Sequence, residues 1–420
     1  MMAISNKKCF PSTTAMRISL IMRNILIYFT FFFFLLGCNE RNKETEYGRI
    51  DLESGFSQKS FYLLSEVAEE VEYVFLETND SGLLAEIHRI EYNPPNFFIM
   101  DRFKKSILIF NETGKYVNKI SALGQGPHEY TEIYNFDVFD NTVYILDYDL
   151  KKIFIYDVSG KFINSFTVDE RPSFLKINSD SDILLASANR QVRLNDGFVF
   201  SQYDKNFSLK RKFHQMEHNG REVESVVHSF YWQKDTLVYW EWNIFDTVYN
   251  ILPEGKIEMR FKIDPGKIPS SLIQSREKAN LIEYNQFDIS RLVETDDYVF
   301  LFCVYHRTSY PLIYSKKENR IIGIERFLMN DIDGGIPFWP ILKLSDNKVC
   351  TTMSPDEIKN YLSRQIVDYY KGFNYESYRP KLDYNVEKHK KLLEQLEKTD
   401  DMSNPVLMIV TMKSSSKRLN

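Results

Sequence analysis

Three things are scarce in this 420-residue sequence: cysteine, a positive surplus of charge, and long apolar runs. The formal net charge is −5, and the segment 1–37 holds Lys7, Lys8, Arg17 and Arg23 with no acid, so the rest of the chain carries −9. A nucleic-acid partner would need a clustered basic face to displace phosphate counterions, and the acidic balance argues against one. The longest uncharged apolar run, Ile25 to Gly37, has thirteen residues. That is too short for a transmembrane helix, which needs roughly 20. Of the four cysteines, Cys9 and Cys38 flank this run and only Cys303 and Cys350 lie beyond it. Both sit in apolar, strand-like runs, where a thiol packs as a small hydrophobe. An oxidising compartment would also permit a bridge between them.

What is present begins with the leader. Basic residues followed by a thirteen-residue apolar run read as a secretory signal peptide. The run ends Leu35-Leu36-Gly37-Cys38, which resembles the lipobox of bacterial lipoproteins, where the cysteine is acylated. Several acyl chains on Cys38 would anchor the chain stably, whereas one chain binds a membrane only marginally. The organisation expected is a signal peptide over 1–37, a polar tether over 38–57, one folded domain over 58–413 and a tail over 414–420. The leader places the chain in the cell envelope, lipid-anchored, on an outer-membrane, periplasmic or surface face.

Hydrophobic residues make up 43% and aromatics 15%, enough for a large core. They fall in short runs broken by Asn, Asp and Gly, which is a strand pattern. Two such runs flank the stretch Gly124-Gln125-Gly126-Pro127-His128-Glu129-Tyr130. Ser106 to Val117 precedes it and Lys152 to Ile163 follows it, and the two read as one hairpin written twice. Aligning the aromatic before each turn gives Phe110, Tyr156, Tyr203 and Tyr249, separated by 46, 47 and 46 residues. A fixed period of this size, with four strands in each, is the signature of propeller blades. The next equivalent is Tyr314, 65 residues on, and the surplus matches a helix-like insert at about 269–284.

The last blade is irregular. Strands around Ile341 and Val349 are followed by Ser354-Pro355-Asp356-Glu357, an N-cap with proline at the first helical position. Helices are expected within about 356–398, and Pro405 to Met412 reads as a closing strand. A ring must close without leaving an exposed edge, so Val71 to Glu77 and Pro405 to Met412 are expected to share this blade. The fold class is therefore all-β, a six-bladed β-propeller of four-stranded antiparallel blades.

Several stretches also resemble a known family. Leu64-Ser65-Glu66-Val67, Phe75-Leu76-Glu77-Thr78, the Gly124 to Tyr130 link, Asp246-Thr247-Val248-Tyr249 and Asn404-Pro405-Val406-Leu407 look like the six-bladed β-propeller lipoproteins of Bacteroidota. These are distantly similar to NHL-repeat propellers. The resemblance covers nearly all of residues 58 to 413 and implies fold and envelope location, with little about activity. Where that family has a third glycine, this chain has His128.

Candidate chemistry is sparse. His214-Gln215-Met216-Glu217-His218 matches the H-x-x-E-H pattern of zinc peptidases, which requires a helix to put both histidines on one face. Leu209 to Phe213 reads as a strand and Asn219-Gly220 as a turn, so no metal site is expected. Gly124-Gln125-Gly126 lacks the lysine-serine end of a phosphate loop. It is read as a connector in which the glycines supply positive φ, Pro127 fixes the exit direction and Glu129 and Tyr130 hold the crossing. Aromatics cluster at Tyr231, Trp232, Tyr239, Trp240, Trp242 and Phe245, mostly as core. His128, Trp232 and Trp339 are the residues placed as ligand contacts near the channel mouth. No catalytic residue and no cofactor is implied. Two functions are left open. One is a binding module for a glycan, peptide or envelope protein, and the other is a hydrolase or lyase acting at the central channel mouth.

Overall fold

The computed structural model describes residues 48–414, except 58, 179–180, 188–191, 193–194, 216–227, 235, 242–246, 265–286, 306–307 and 364–382. The chain enters with strand β1 (Arg49–Asp51), helix α1 (Glu53–Ser57), strand β2 (Lys59–Ser60), helix α2 (Leu64–Val67) and strand β3 (Ala68–Phe75). Blade 1 follows as β4 (Ile87–Asn93), β5 (Asn96–Asp101), β6 (Ser106–Asn111) and β7 (Tyr116–Ile120). Blade 2 is β8 (Asn135–Phe139), β9 (Thr142–Asp147), β10 (Lys152–Asp157) and β11 (Phe162–Thr167). Blade 3 is β12 (Phe174–Ile177), β13 (Ile183–Ala186), β14 (Phe198–Tyr203) and β15 (Leu209–Gln215). Blade 4 is β16 (His228–Gln233), β17 (Thr236–Glu241), β18 (Thr247–Ile251) and β19 (Ile257–Asp264). Blade 5 is β20 (Phe287–Glu294), β21 (Tyr298–Tyr305), β22 (Thr308–Ser315) and β23 (Arg320–Ile324). The last elements are β24 (Leu342–Lys343), β25 (Lys348–Met353), α3 (Pro355–Ser363), α4 (Val386–Leu396) and β26 (Val406–Met412).

Six sheets result, one for each blade and each built on four antiparallel strands, and the fold is the expected six-bladed propeller. The sixth sheet has the order β24-β25-β26-β3, so strands from both ends of the chain close the ring. Asn404, 3% exposed, locks this seam. Its Oδ1 accepts from the Leu84 N–H at 2.8 Å, and its Nδ2 donates to the carbonyls of Glu77 and Gly82 at 2.7 Å each.

The aligned aromatics mark a repeated device. Phe110, Tyr156, Tyr203 and Tyr249 each sit where the third-to-fourth strand register shifts by a β-bulge. In the first three blades an Asx turn follows at once. Asn111 Oδ1 accepts from the Thr113 and Lys115 amides, Asp157 Oδ1 from those of Ser159 and Lys161, and Asp204 Oδ1 from those of Asn206 and Ser208. The side-chain oxygen takes up amides the turn would otherwise leave to water. Between blades the core is apolar. Tyr130, Phe136, Phe154 and Tyr156 fill the contact between blades 1 and 2, and Val238, Phe261, Val299 and Leu312 that between blades 4 and 5.

The tether was expected to reach residue 57, yet Arg49 to Asp51 already pair in parallel with Lys262 to Asp264 on the outer edge of blade 4. Ile50 and Leu52 are fully buried, which is why a polar tether cannot extend this far. Lys59 and Ser60 then pair in parallel with Gly323 and Ile324 on blade 5. The insert at about 269–284 lies outside the described residues. Of the helices expected within 356–398, α3 and α4 are described and the stretch between them is outside the described residues. Cys303 and Cys350 are both buried, in separate inter-blade cores.

Candidate functional site

Strands β4, β8, β12, β16, β20 and β24 are the inner strands of the six blades, and charged side chains gather near their first hairpins in two groups. In one, Lys176 on β12 places Nζ 2.5 Å from Asp137 Oδ1 on β8 and 3.3 Å from Glu91 Oε2 on β4. Arg89 donates to Glu91 Oε1 through Nε at 2.9 Å, and Asp137 Oδ2 accepts from the Ile177 N–H at 2.7 Å. Three consecutive blades thus meet at one ammonium. Burial by itself would discharge Lys176, but the carboxylates of Asp137 and Glu91 outweigh it and hold its pKa above the ordinary lysine value.

The second group ties blades 4, 5 and 6. Glu294 at the end of β20 accepts from the Tyr231 hydroxyl at 2.7 Å, from Arg260 Nε at 2.9 Å and from Lys316 Nζ at 2.5 Å. Burial opposes ionisation of Glu294, but the Lys316 and Arg260 charges prevail and bring its pKa down to about 2. Lys343 on β24 donates to the Trp232 carbonyl at 2.5 Å, to Gln233 Oε1 at 2.6 Å and to Asp346 Oδ1 at 2.8 Å. Asp346 also accepts from the Lys234 N–H at 3.0 Å. Burial pulls the Lys316 and Lys343 pKa values below the ordinary lysine value, the neighbouring carboxylates offsetting only part of it. The arrangement staples blades together.

The other end of the blades is different. Asp101 and Asp147, both fully buried, close the equivalent second hairpins of blades 1 and 2. Asp101 takes the Ala85 and Lys104 amides on its two oxygens, and Asp147 takes those of Thr131 and Leu150. The hairpins so fixed push apolar side chains into solvent: Phe103 is 77% exposed and Leu150 42%. Tyr134, 43% exposed and just ahead of β8, stacks on Tyr148 with ring centroids 4.7 Å apart, and Arg171 lies over Tyr148 at 5.4 Å. Rings held rigidly at the surface can take up a flat partner at small entropic cost.

The glycines of the Gly124 to Tyr130 link were expected to supply positive φ. Neither Gly124 nor Gly126 has positive φ. A Cβ at Gly124 would instead fall within the Glu129 carboxylate. Glycine is needed because Glu129 folds back over the loop, where its Oε2 accepts from the Gly126 N–H at 2.8 Å. Gln125 is exposed at the turn and Pro127 follows it. Tyr130 is fully buried, accepts from the Ala122 N–H and donates to the Lys105 carbonyl at 2.9 Å. Tyr156 of blade 2 donates to the His128 carbonyl at 2.7 Å.

The three expected ligand contacts do not converge. His128 stacks on Phe162 of the outer strand β11 at 4.1 Å, so it lies at the rim and away from the channel. Trp339 is 6% exposed and packs edge-on against Phe300 at 5.6 Å, as core. Trp232 is half-buried against the core between blades 3 and 4. His214 stands on strand β15, where no helical face exists, while Met216 to His218 lie outside the described residues, as does Cys38. Among the described residues no group of three or more His, Cys, Asp or Glu side chains is placed to hold a metal ion. The charged channel groups and the exposed rings were missed by sequence reading. One signal was available: Asp101 and Asp147, like Lys105 and Lys151, are one 46-residue period apart.

Comparison with known proteins agrees on architecture. A crystal structure from Bacteroides fragilis, described as an exported protein, is similar with a TM-score of 0.65 at 18% identity, over 87% of this chain and 100% of that one. At that identity the likeness shows the fold alone. A DUF4221 family member from Bacteroides vulgatus matches with a TM-score of 0.41 at 11% identity, over 61% of this chain and 84% of that one. A virginiamycin B lyase of Staphylococcus aureus matches with a TM-score of 0.37 at 13% identity, over 61% of this chain and 74% of that one. No curated protein matches significantly. The family model for a domain of unknown function, DUF4934, matches residues 47–411, and the chain belongs to that family.

Proposed function

We propose that this chain is an extracytoplasmic binding module, lipid-anchored through Cys38, that engages a glycan, peptide or envelope-protein partner with the second-hairpin face of blades 1 and 2. The observation that carries the reading is the exposure of Phe103 and Leu150 on hairpins fixed by Asp101 and Asp147, with Tyr134, just ahead of β8, stacked beside them on Tyr148. Exposing apolar surface opposes folding, so rings held out rigidly in this way are explained by a partner that covers them. The leader before Cys38, the resemblance to Bacteroidota lipoproteins and the exported description of the similar Bacteroides fragilis protein all support an envelope location.

The alternative, a hydrolase or lyase acting at the channel mouth, would need a proton donor or acceptor with an intermediate pKa. Glu294 and Lys176 are driven away from that range, whereas burial moves Lys316, Lys343 and Asp137 towards it, so the channel groups by themselves favour neither reading. The test is a thermal-shift screen of the purified chain against glycans, peptides and metal ions, because a ligand of the native state alone must raise stability. A hit lost in Phe103→Ala and Tyr134→Ala would support the reading; a hit unaffected by both would overturn the location. Cys38→Ser should move the protein from the membrane to the soluble envelope fraction.

A further inference from the structure

Beyond that face, a second surface stands out on the rim. The outer strand of each blade leaves a row of backbone groups with no fifth strand in the sheet, and proteins protect such edges with charge, proline or a cover. Blades 4 and 5 are covered by the chain's own β1 and β2, each added in parallel. On blade 6, β3 carries Glu69, Glu70 and Glu72 and is joined to α4 by Lys388 and Glu70 at 3.4 Å. Strand β15 carries Lys210, Arg211 and Lys212, and β7 carries Lys119. Strand β11, Phe162-Ile163-Asn164-Ser165-Phe166-Thr167, has no charge, no proline and no added strand among the described residues.

Beside this edge runs a groove of about 550 Å³ between blades 2 and 3. Tyr144, Ile155, Ile163, Ile183 and Phe207 supply its apolar walls, and Ile163 is 52% exposed. The Val168 N–H points inward to the Lys151 carbonyl at 2.9 Å, so by alternation the Thr167 and Ser165 amides face outward. In the absence of a partner, Ser165 N–H is held by the neighbouring Asn164 side chain at 2.8 Å.

We propose that β11 is a β-augmentation site for an extended segment of a partner polypeptide, one alternating polar and aliphatic residues. The pattern is that of the chain's own Arg49-Ile50-Asp51-Leu52, which shows that outer edges of this propeller accept a parallel strand and bury its aliphatic side chains. Main-chain hydrogen bonds to β11 would supply affinity, and an aliphatic side chain in the groove specificity.

The test uses the full chain and a synthetic peptide with the sequence of residues 48–53, read by amide hydrogen exchange. Peptide at millimolar concentration should slow exchange at Ser165 and Thr167 about tenfold. Ser165→Pro, which removes an outward donor, and Ile163→Lys, which charges the edge, should each abolish the effect; either one serves if the other fails to fold. The proposal is overturned by unchanged exchange at these amides, by protection that survives both substitutions, or by protection that comes from self-association of the peptide-free chain.

Discussion

Lys176 and Glu91 are 85 residues apart in sequence, yet Nζ lies 3.3 Å from Oε2, joining the inner strands of blades 3 and 1 with Asp137 of blade 2 beside them. The sixfold repeat alone would make blade contacts nearest-neighbour. This contact couples three blades into one half of the ring, and Lys343 with Asp346 couples the opposite three.

Removing the ammonium should therefore be costly. Lys176→Met leaves the Asp137 carboxylate buried without a counter-charge and Glu91 with Arg89 alone, and losing one partner of a buried pair costs about 3–5 kcal/mol. Urea unfolding should show this, and adding Asp137→Asn should recover part of it. A loss under about 1 kcal/mol would mean that water reaches the cluster.

Glu294 sets a pH dependence. Its folded pKa of about 2 lies below its ordinary 4.5, so its stabilising contribution is complete above the unfolded value and disappears as pH falls from about 5 towards 2. At 1.36 kcal/mol per pKa unit the contribution is on the order of 3 kcal/mol. Glu294→Gln should be less stable at pH 7 and should show a smaller stability loss between pH 5 and pH 3 than the parent, measured by urea midpoint. Equal losses in the two proteins would refute the assignment.

The connector predicts non-additivity. Gly124→Ala forces the Glu129 carboxylate aside and removes its bond to the Gly126 amide, at a cost of about 1–2 kcal/mol. The obstacle is the far end of a flexible side chain, so in a Glu129→Ala background the same substitution should cost little. Gly114→Ala is the contrast. There φ is +82° and the obstructing atom is the backbone oxygen of Phe75, so no side-chain change should relieve it. Double-mutant cycles by thermal unfolding separate the two cases.

Fold and seam were legible because they are written in local signals that recur. The aromatic before each turn, the Asx residue after it and the period of 46 residues repeat, and ring closure requires the ends to meet. Function was harder to read because the residues that matter come together across blades. Nothing local to Lys176 indicates Glu91, and Asp101 resembles any turn acid until the next period places Asp147 in the same role. His128 and Trp339 show the converse. A polar or aromatic residue near a glycine or proline suggested a mouth position, yet stacking on Phe162 and packing on Phe300 placed them at the rim and in the core.

The N-terminal strap offers a last prediction, separating tether from fold. A chain beginning at residue 48 keeps β1 and the buried Ile50 and Leu52, whereas one beginning at residue 59 loses both along with the ion pair of Arg49 and Asp264. Fully burying an aliphatic side chain contributes about 1.5–3 kcal/mol. Loss of the strap should therefore destabilise the protein by several kcal/mol and uncover Leu312 and Ile321, against which Gly55 packs. The shorter chain should melt lower and bind more of a dye that reports apolar surface, while the longer one should melt with a chain beginning at residue 38. Equal melting of all three would return residues 49–57 to the tether.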